Sequence, residues 1–239
     1  MEKITIFDEY ALAKPMPVSV PDHFASWVQV PPGGRILDIG CGDGRFLEFC
    51  AVVAPQSQPV GLEISWVRAR RATDKGFTVL QADSERLPFA SSSFHLVLLI
   101  EVIEHMWDPD AVMADIARIL LPEGRLILTT PNYPIKRMYD WLKYLQGIRS
   151  SPTDDPTHFS PFSACRIRKL CARYFTSVKS RISRVAGEGR WPILARLKRS
   201  PGVGDWIGHK VVLLCRYPRS ARALRCLPAQ ELARENDAT

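Results

Sequence analysis

The 239-residue chain is 46% hydrophobic and 24% charged, which excludes wholesale disorder and supplies a sizeable core. Its cysteines, Cys41, Cys50, Cys165, Cys171, Cys215 and Cys226, form no C-x-x-C pair and no metal-like spacing with histidine, so neither a zinc ribbon nor a disulfide framework is indicated and reduced thiols are expected. The formal charge of +7 is lopsided: residues 1–150 hold 15 Lys/Arg against 18 Asp/Glu, and residues 151–239 hold 17 against 7, a net −3 and +10.

The N-terminal MEKITIFDEY lacks the basic run and apolar core of a secretory signal, and no segment approaches the ~20 apolar residues of a spanning helix. The expectation is a cytoplasmic protein with one domain over 1–239. In chain order, short apolar runs alternate with helix-period stretches, which predicts a parallel sheet with crossover helices. Strands are expected at Arg35–Ile39, Pro59–Ile64, Phe77–Gln81, Phe94–Ile100 and Arg125–Thr130. Between the last two, Asp108 reads as an N-cap and Pro109 as the first helical residue, followed by Val112, Met113, Ile116, Ile119 and Leu120 at helical spacing. A lid helix is expected at Tyr139–Gln146, and a further helix opening at Ser160-Pro161 with Ile167, Leu170, Cys171 and Tyr174 on one face. Val178–Val185 and Lys210–Arg216 complete a set of seven strands.

The strongest chemical signal is Asp38-Ile39-Gly40-Cys41-Gly42-Asp43-Gly44, at the exit of the first strand and before a helix containing Phe46, Leu47 and Cys50. Glycines here let backbone amides approach a ligand at the carboxyl edge, where open α/β sheets bind their ligands. The spacing is G-x-G-x-G, not the dinucleotide G-x-G-x-x-G, and the preceding Asp38 would repel a phosphate but suits a cation. Glu63 ends the second strand, where an acid can accept hydrogen bonds from both hydroxyls of a ribose. Asp83 ends the third and can take the exocyclic amine of an adenine, with Ile64 and Leu87 as apolar walls. A ribose, an adenine and a positive centre without a phosphate describe S-adenosylmethionine; the glycine spacing and Asp38 disfavour a nicotinamide dehydrogenase.

The segments ILDIGCGDGRF, VGLEIS, QADSERLPFASSSFHLVLLIEVIEHM, DPDAVMADIARILLPEGRLILTTPN and HFSPFSACRIRKL resemble the class I methyltransferases, of the small-molecule type that includes quinone O-methyltransferases, from Phe7 to Tyr174. The resemblance implies an α/β, Rossmann-like, doubly wound seven-stranded sheet in the order 3-2-1-4-5-7-6 with the last strand antiparallel. It implies that Asp38, Gly40, Cys41 and Gly42 line the methionine part of the donor, that Glu63 holds the ribose, that Asp83 and Ser84 meet the adenine, and that Glu101 faces the donor. Gly44 is read either as part of that loop or as a helix-packing glycine.

Glu101, Glu104 and His105 would share one face of a helix at i, i+3, i+4, and with His158 they make a set that a divalent cation could use. Similar E-x-x-E-H stretches occur in relatives with and without a metal, and no metal ligand is expected here. Residues 131–162 are expected to cover the acceptor; Tyr133, Trp141 and Tyr144 could stack on a flat substrate or pack the lid against the sheet, the latter being favoured. His105 and His158 are the imidazoles available as general base, since methyl transfer to a hydroxyl needs alignment and loss of a proton. The acceptor expected is therefore an oxygen, or a nitrogen, of a small or lipid-linked molecule. The alternatives are an RNA-associated methyltransferase and a donor-binding protein without turnover. Residues 176–225 form a basic C-terminal part; within residues 165–225, 16 Lys/Arg face only Glu188 and Asp205, and Trp191, Ile193 and Trp206 interleave with the charge. That composition suits a solvated face, peripheral contact with an anionic membrane, or, less well, RNA.

Overall fold

The computed structural model describes residues 4–5, 7–9, 24–133, 135–147, 157–183 and 210–219. Trp191, Ile193, Trp206 and the basic residues among them lie outside these. The element order is β1 (Arg35–Ile39), α1 (Arg45–Val53), β2 (Gln58–Glu63), α2 (Trp66–Asp74), β3 (Thr78–Gln81), β4 (Phe94–Ile100), a 3-10 turn (Ile103–His105), α3 (Pro109–Ile119), β5 (Leu120–Pro131), α4 (Ile135–Leu145), α5 (Ala164–Tyr174), β6 (Phe175–Ser183) and β7 (Lys210–Pro218). The strands form one sheet in the order β3-β2-β1-β4-β5-β7-β6. β7 runs antiparallel to both its neighbours and the other pairs are parallel, as the resemblance implied.

The period of two in each strand divides the core. Leu37 and Ile39 of β1, with Val97 and Leu99 of β4, pack under α3 and α5 through Val112, Ile116 and Ile167. On the opposite face Ile36, Leu96, Leu98 and Ile127 meet Phe46 and Cys50 of α1 and the Phe24–Trp27 turn. Central strands buried on both faces need apolar residues at every position, which is why β4 reads FHLVLLI without alternation.

Caps set the helix bounds. Asp108 Oδ1 accepts from the Ala111 amide at 3.0 Å, as expected for α3. α5 opens later than the sequence suggests. Ser160 is engaged elsewhere, its amide donating to the Glu104 carbonyl and its hydroxyl to the Met106 carbonyl, so Ser163 becomes the cap and accepts from the Arg166 amide. α4 begins at Ile135, four residues before the expected lid helix, with the Lys136 amide donating to the Asn132 carbonyl at 2.8 Å.

The chain reverses winding direction between β1 and β4, each of which pairs with strands leading away on opposite sides. Loops leaving the two strands therefore diverge and open a crevice at the carboxyl edge, where open α/β sheets bind their ligands. Replacing Ile116, fully buried between α3 and the sheet, by Ala should lower unfolding free energy by about 2–5 kcal/mol. Asp108→Ala should cost about 1 kcal/mol. Urea denaturation measures both, and equal losses would contradict the distinct roles of core and cap.

Candidate functional site

Asp38 sits at the end of β1 opposite Gly61 of β2 and Leu98 of β4. It is 1% exposed, and its Oδ2 is buried without a hydrogen-bond partner. Burial, and secondarily the Glu63 carboxylate, raise its pKa well above the usual range. An ionisable oxygen withheld from both water and protein is costly, and a cation arriving with a ligand would relieve that cost.

Glu63 is buried at the end of β2. Its Oε2 accepts the Gly42 amide at 2.8 Å and its Oε1 the Ser65 amide at 2.9 Å. Desolvation raises its pKa, and those two amides and Arg68 partly oppose the rise. Each carboxylate oxygen can accept more than one hydrogen bond, so capacity remains for the hydroxyls of a ribose.

The glycine loop between these acids works differently from the sequence expectation. The Gly40 and Cys41 amides both donate to the Leu62 carbonyl at 2.7 and 3.1 Å, Gly42 donates to Glu63, and Gly44 to the Cys41 carbonyl at 3.0 Å. These amides are already committed inside the protein and do not form a phosphate cradle. What the loop supplies is room: at Gly40, with φ +69°, a Cβ would stand 2.5 Å from Val102 Cγ2. Gly44, with φ +82° at the N-cap of α1, comes close to Ala72 of α2, which favours its helix-packing role.

Asp83 and Ser84 follow β3 at the same edge. Asp83 is exposed and its Oδ1 accepts the Glu85 amide at 3.1 Å; the Ser84 hydroxyl lies 3.7 Å from the Met106 sulfur. Ile64 is half-buried, its carbonyl accepting from Gln81 Nε2 at 3.3 Å, and Leu87 is buried.

Glu101, Glu104 and His105 do not share a helical face. Glu101 adopts φ +57° just past β4, and only the three-residue 3-10 turn follows, so the i, i+3, i+4 geometry is never built. The left-handed residue turns the chain before a helix can nucleate. Glu101 instead accepts from the Thr129 hydroxyl at 2.7 Å and pairs with Lys210 at 3.3 Å. Glu104 is buried, accepting from the Thr130 hydroxyl at 3.0 Å, and burial followed by the Glu101 charge raises its pKa well above the usual range.

Of the four residues read as one set, Glu104, His105 and His158 come together and Glu101 does not join them. Ligand atoms of Glu104, His105 and His158 all lie within 4.8 Å of one another, and the two imidazole centroids are 4.7 Å apart. His105 Nδ1 lies 2.9 Å from the Thr157 carbonyl, which can only accept, so this nitrogen carries the proton and Nε2 the lone pair of a neutral ring. The Tyr133 hydroxyl is 2.7 Å from His158 Nδ1. Tyr133 is buried, whereas Trp141 and Tyr144 are exposed, so those two do not pack a lid against the sheet as favoured from sequence.

The N-terminal segment was missed as part of the site because its contacts are long-range and have no local period. Asp8 Oδ1 accepts from the Ser65 hydroxyl and from the Val67 amide at 3.3 Å, while the Phe7 ring stands edge-on to His105 at 6.0 Å. Helical residues 7–9 thus reach both the Glu63 end of the crevice and its histidine end.

A family model described as a methyltransferase domain matches residues 21–174. The chain is similar to the 27-O-demethylrifamycin SV methyltransferase of Amycolatopsis mediterranei, 33% identical over 129 residues that cover 51% of this chain and 47% of the relative. It is also 33% identical over 107 residues to the ubiquinone biosynthesis O-methyltransferase of Xanthomonas axonopodis pv. citri, covering 43% and 45% of the two chains, so it spans less than half the length of these curated relatives. The crystal structure of an S-adenosylmethionine-dependent methyltransferase from Archaeoglobus fulgidus shares the fold at a TM-score of 0.59 and 19% identity, over 81% of this chain and 90% of that one. With the strand order, the acidic strand ends and the matched domain in agreement, the chain belongs to the class I methyltransferases, the family that uses S-adenosylmethionine.

Proposed function

We propose that this protein transfers a methyl group from S-adenosylmethionine to an oxygen of a small or lipid-linked acceptor. The observation that carries the donor assignment is the buried, unpartnered Oδ2 of Asp38 beside a Glu63 that is held but not saturated. Asp38, with the turn Gly40, Cys41 and Gly42, holds the cationic methionine part; Glu63 takes the ribose; Ile64, Asp83 and Ser84 bound the adenine; Glu101 closes the far side. The donor supplies an electrophilic methyl on sulfur, and the protein's own work is to align the acceptor and receive its proton.

His105 and His158 are the groups for that proton. The Thr157 carbonyl fixes the His105 tautomer, and Tyr133 orients His158. Tyr133 and His158 both come from the segment that follows β5. The oxygen acceptor is supported by the paired imidazoles and by the name of one relative, a ubiquinone biosynthesis O-methyltransferase.

A second reading, a divalent cation that orients the acceptor, is favoured by one observation, the convergence of Glu104, His105 and His158. A cation would offset the cost of the buried Glu104 carboxylate. Imidazole and carboxylate together suit a borderline or hard divalent ion.

Calorimetry should show S-adenosylmethionine binding in preference to NAD. Glu63→Ala should weaken binding by about 1.5–3 kcal/mol, the value of a hydrogen bond with one charged partner; unchanged affinity would remove Glu63 from the donor site.

Asp38→Asn should weaken donor binding yet stabilise the free protein at neutral pH. A carboxyl whose folded-state pKa is raised favours folding least above that value, so free-protein stability should fall as pH climbs from the ordinary carboxylate range, and the variant should flatten this slope. Urea titrations at several pH values measure it, and an unaltered pH profile would contradict the buried charge.

With radiolabelled donor and an identified acceptor, His158→Ala or His105→Ala should reduce turnover by about 10²–10⁴-fold while donor binding persists. Exhaustive chelation separates the two readings: retained activity leaves the imidazoles as bases, and loss restored by a divalent cation assigns them as ligands.

A further inference from the structure

Helix α4, IKRMYDWLKYL, is built inside out. A surface helix of a globular protein turns its apolar stripe to the core and its charges to water. Among the described side chains, Lys136 and Asp140 turn inward beside the half-buried Ile135 and pair at 2.7 Å, with side chains 18% and 12% exposed. Met138, Trp141, Leu142 and Leu145 are 49, 55, 43 and 64% exposed. Their i, i+3, i+4, i+7 spacing makes them neighbours along one face, so they form a continuous apolar stripe and not four scattered side chains. Tyr144, also exposed, lies beside it.

A second exposed apolar feature lies at the same edge of the sheet. Trp107 and Phe159, both exposed, stack with ring centroids 4.0 Å apart and planes 15° from parallel. They immediately follow Met106 and His158 in the chain, at the carboxyl edge from which α4 also departs. Their loops are pinned, the Trp107 amide to Glu85 Oε1 at 2.7 Å and the Ser160 amide to the Glu104 carbonyl at 2.9 Å, so the pair is presented rigidly.

We propose that α4 seats the protein on an anionic lipid bilayer, with the Met138, Trp141, Leu142 and Leu145 stripe entering the boundary between headgroups and acyl chains. Eleven residues span only ~16 Å, so the helix lies in the surface and does not cross it. Its composition is that of an interfacial helix: tryptophan and aliphatic side chains on one face, tyrosine at its border, and Lys136, Arg137 and Lys143 against the single Asp140. Charge complementarity selects an acidic surface. The chain carries +7 overall, and α5, which starts at the same edge, exposes Arg166, Arg168 and Lys169 and contains no acidic residue. The inserted stripe belongs to α4, and its residues are none of those assigned to the donor. It would hold the histidine end of the crevice at headgroup level, where a lipid-linked acceptor presents its reactive head.

The test is co-sedimentation of the full chain with vesicles of phosphatidylglycerol and phosphatidylcholine, compared with phosphatidylcholine alone. Binding to the acidic vesicles is expected, and the double variant Trp141→Ser, Leu145→Ser should weaken it by at least about tenfold. Donor binding in solution should stay unchanged, which separates loss of docking from loss of fold or of the donor site. Trp141→Phe should still bind but lose part of the tryptophan quenching by brominated lipid. Absence of binding to acidic vesicles at low salt overturns the proposal. So does binding indifferent to the double variant, which would move the contact to the basic sequence between residues 184 and 209. Self-association in the absence of lipid that the double variant abolishes would also overturn it, assigning the stripe to a second copy of the chain.

Discussion

Two carboxylates that repel each other lie side by side at the ends of β1 and β2, and much of the crevice is organised around the second. Glu63 holds the glycine loop through Gly42 and the start of α2 through Ser65. Ser65 in turn caps α2 through the Arg68 amide and donates to Asp8, bringing the N-terminal segment to the same point. One buried side chain thus ties the ends of two strands, a helix and an otherwise remote segment. Two charge-assisted amide bonds offset part of its desolvation, and Asp38 next door has no such relief for Oδ2. The free protein therefore carries an uncompensated electrostatic cost that a cationic ligand would remove, and the cost is specific to the sign of the ligand.

The histidine end of the crevice repeats the arrangement with different partners. Glu101 and Glu104 approach closely enough for one charge to raise the other's pKa, and consecutive threonines of β5 serve them: Thr129 donates to Glu101 and Thr130 to Glu104. Adjacent residues of a strand point to opposite faces. The bend at Glu101, with its positive φ, brings both acids within reach of them. Lys210, the first residue of β7, neutralises Glu101 from the antiparallel strand, so the unusual last strand supplies a charge as well as a pairing partner. A left-handed non-glycine residue held by its own carboxylate is the kind of local strain that packing must support, and β4, β5 and β7 provide it together.

The parts legible in the sequence were those governed by local rules. β1 and β4 could be read to the residue, because strands buried on both faces are short, mostly apolar runs without alternation, and Asp108-Pro109 announced α3 by its cap. The acids at strand ends were legible because the βα order fixes where each loop emerges. Three things were not. The E-x-x-E-H stretch satisfies helical spacing, but one left-handed residue breaks the geometry and spacing carries no record of φ. Ser160 and Ser163 are equally good caps by type, and long-range bonds from Ser160 to Glu104 and Met106 decide between them. The contacts of Phe7 and Asp8 join residues more than fifty positions apart, which no local pattern encodes.

Helix α4 shows the same boundary most sharply. Its sequence is amphipathic whichever way it is turned, and the pattern predicts a helix without saying which face goes inward. Hydrophobic burial alone would turn Trp141, Leu142 and Leu145 to the sheet. Among the described side chains the Lys136–Asp140 pair faces inward instead, and a salt bridge removed from water contributes little net stability because desolvation cancels most of the attraction. Burying four large apolar side chains would outweigh such a pair, since each is worth about 1.5–3 kcal/mol. An outer face that carries such a stripe suits a helix that meets a second apolar phase. Lys136 sits one turn beyond Asn132, whose carbonyl accepts its amide, and its ammonium lies 5.3 Å from the Tyr133 ring centroid, so the orientation that exposes the stripe keeps this charge beside Tyr133.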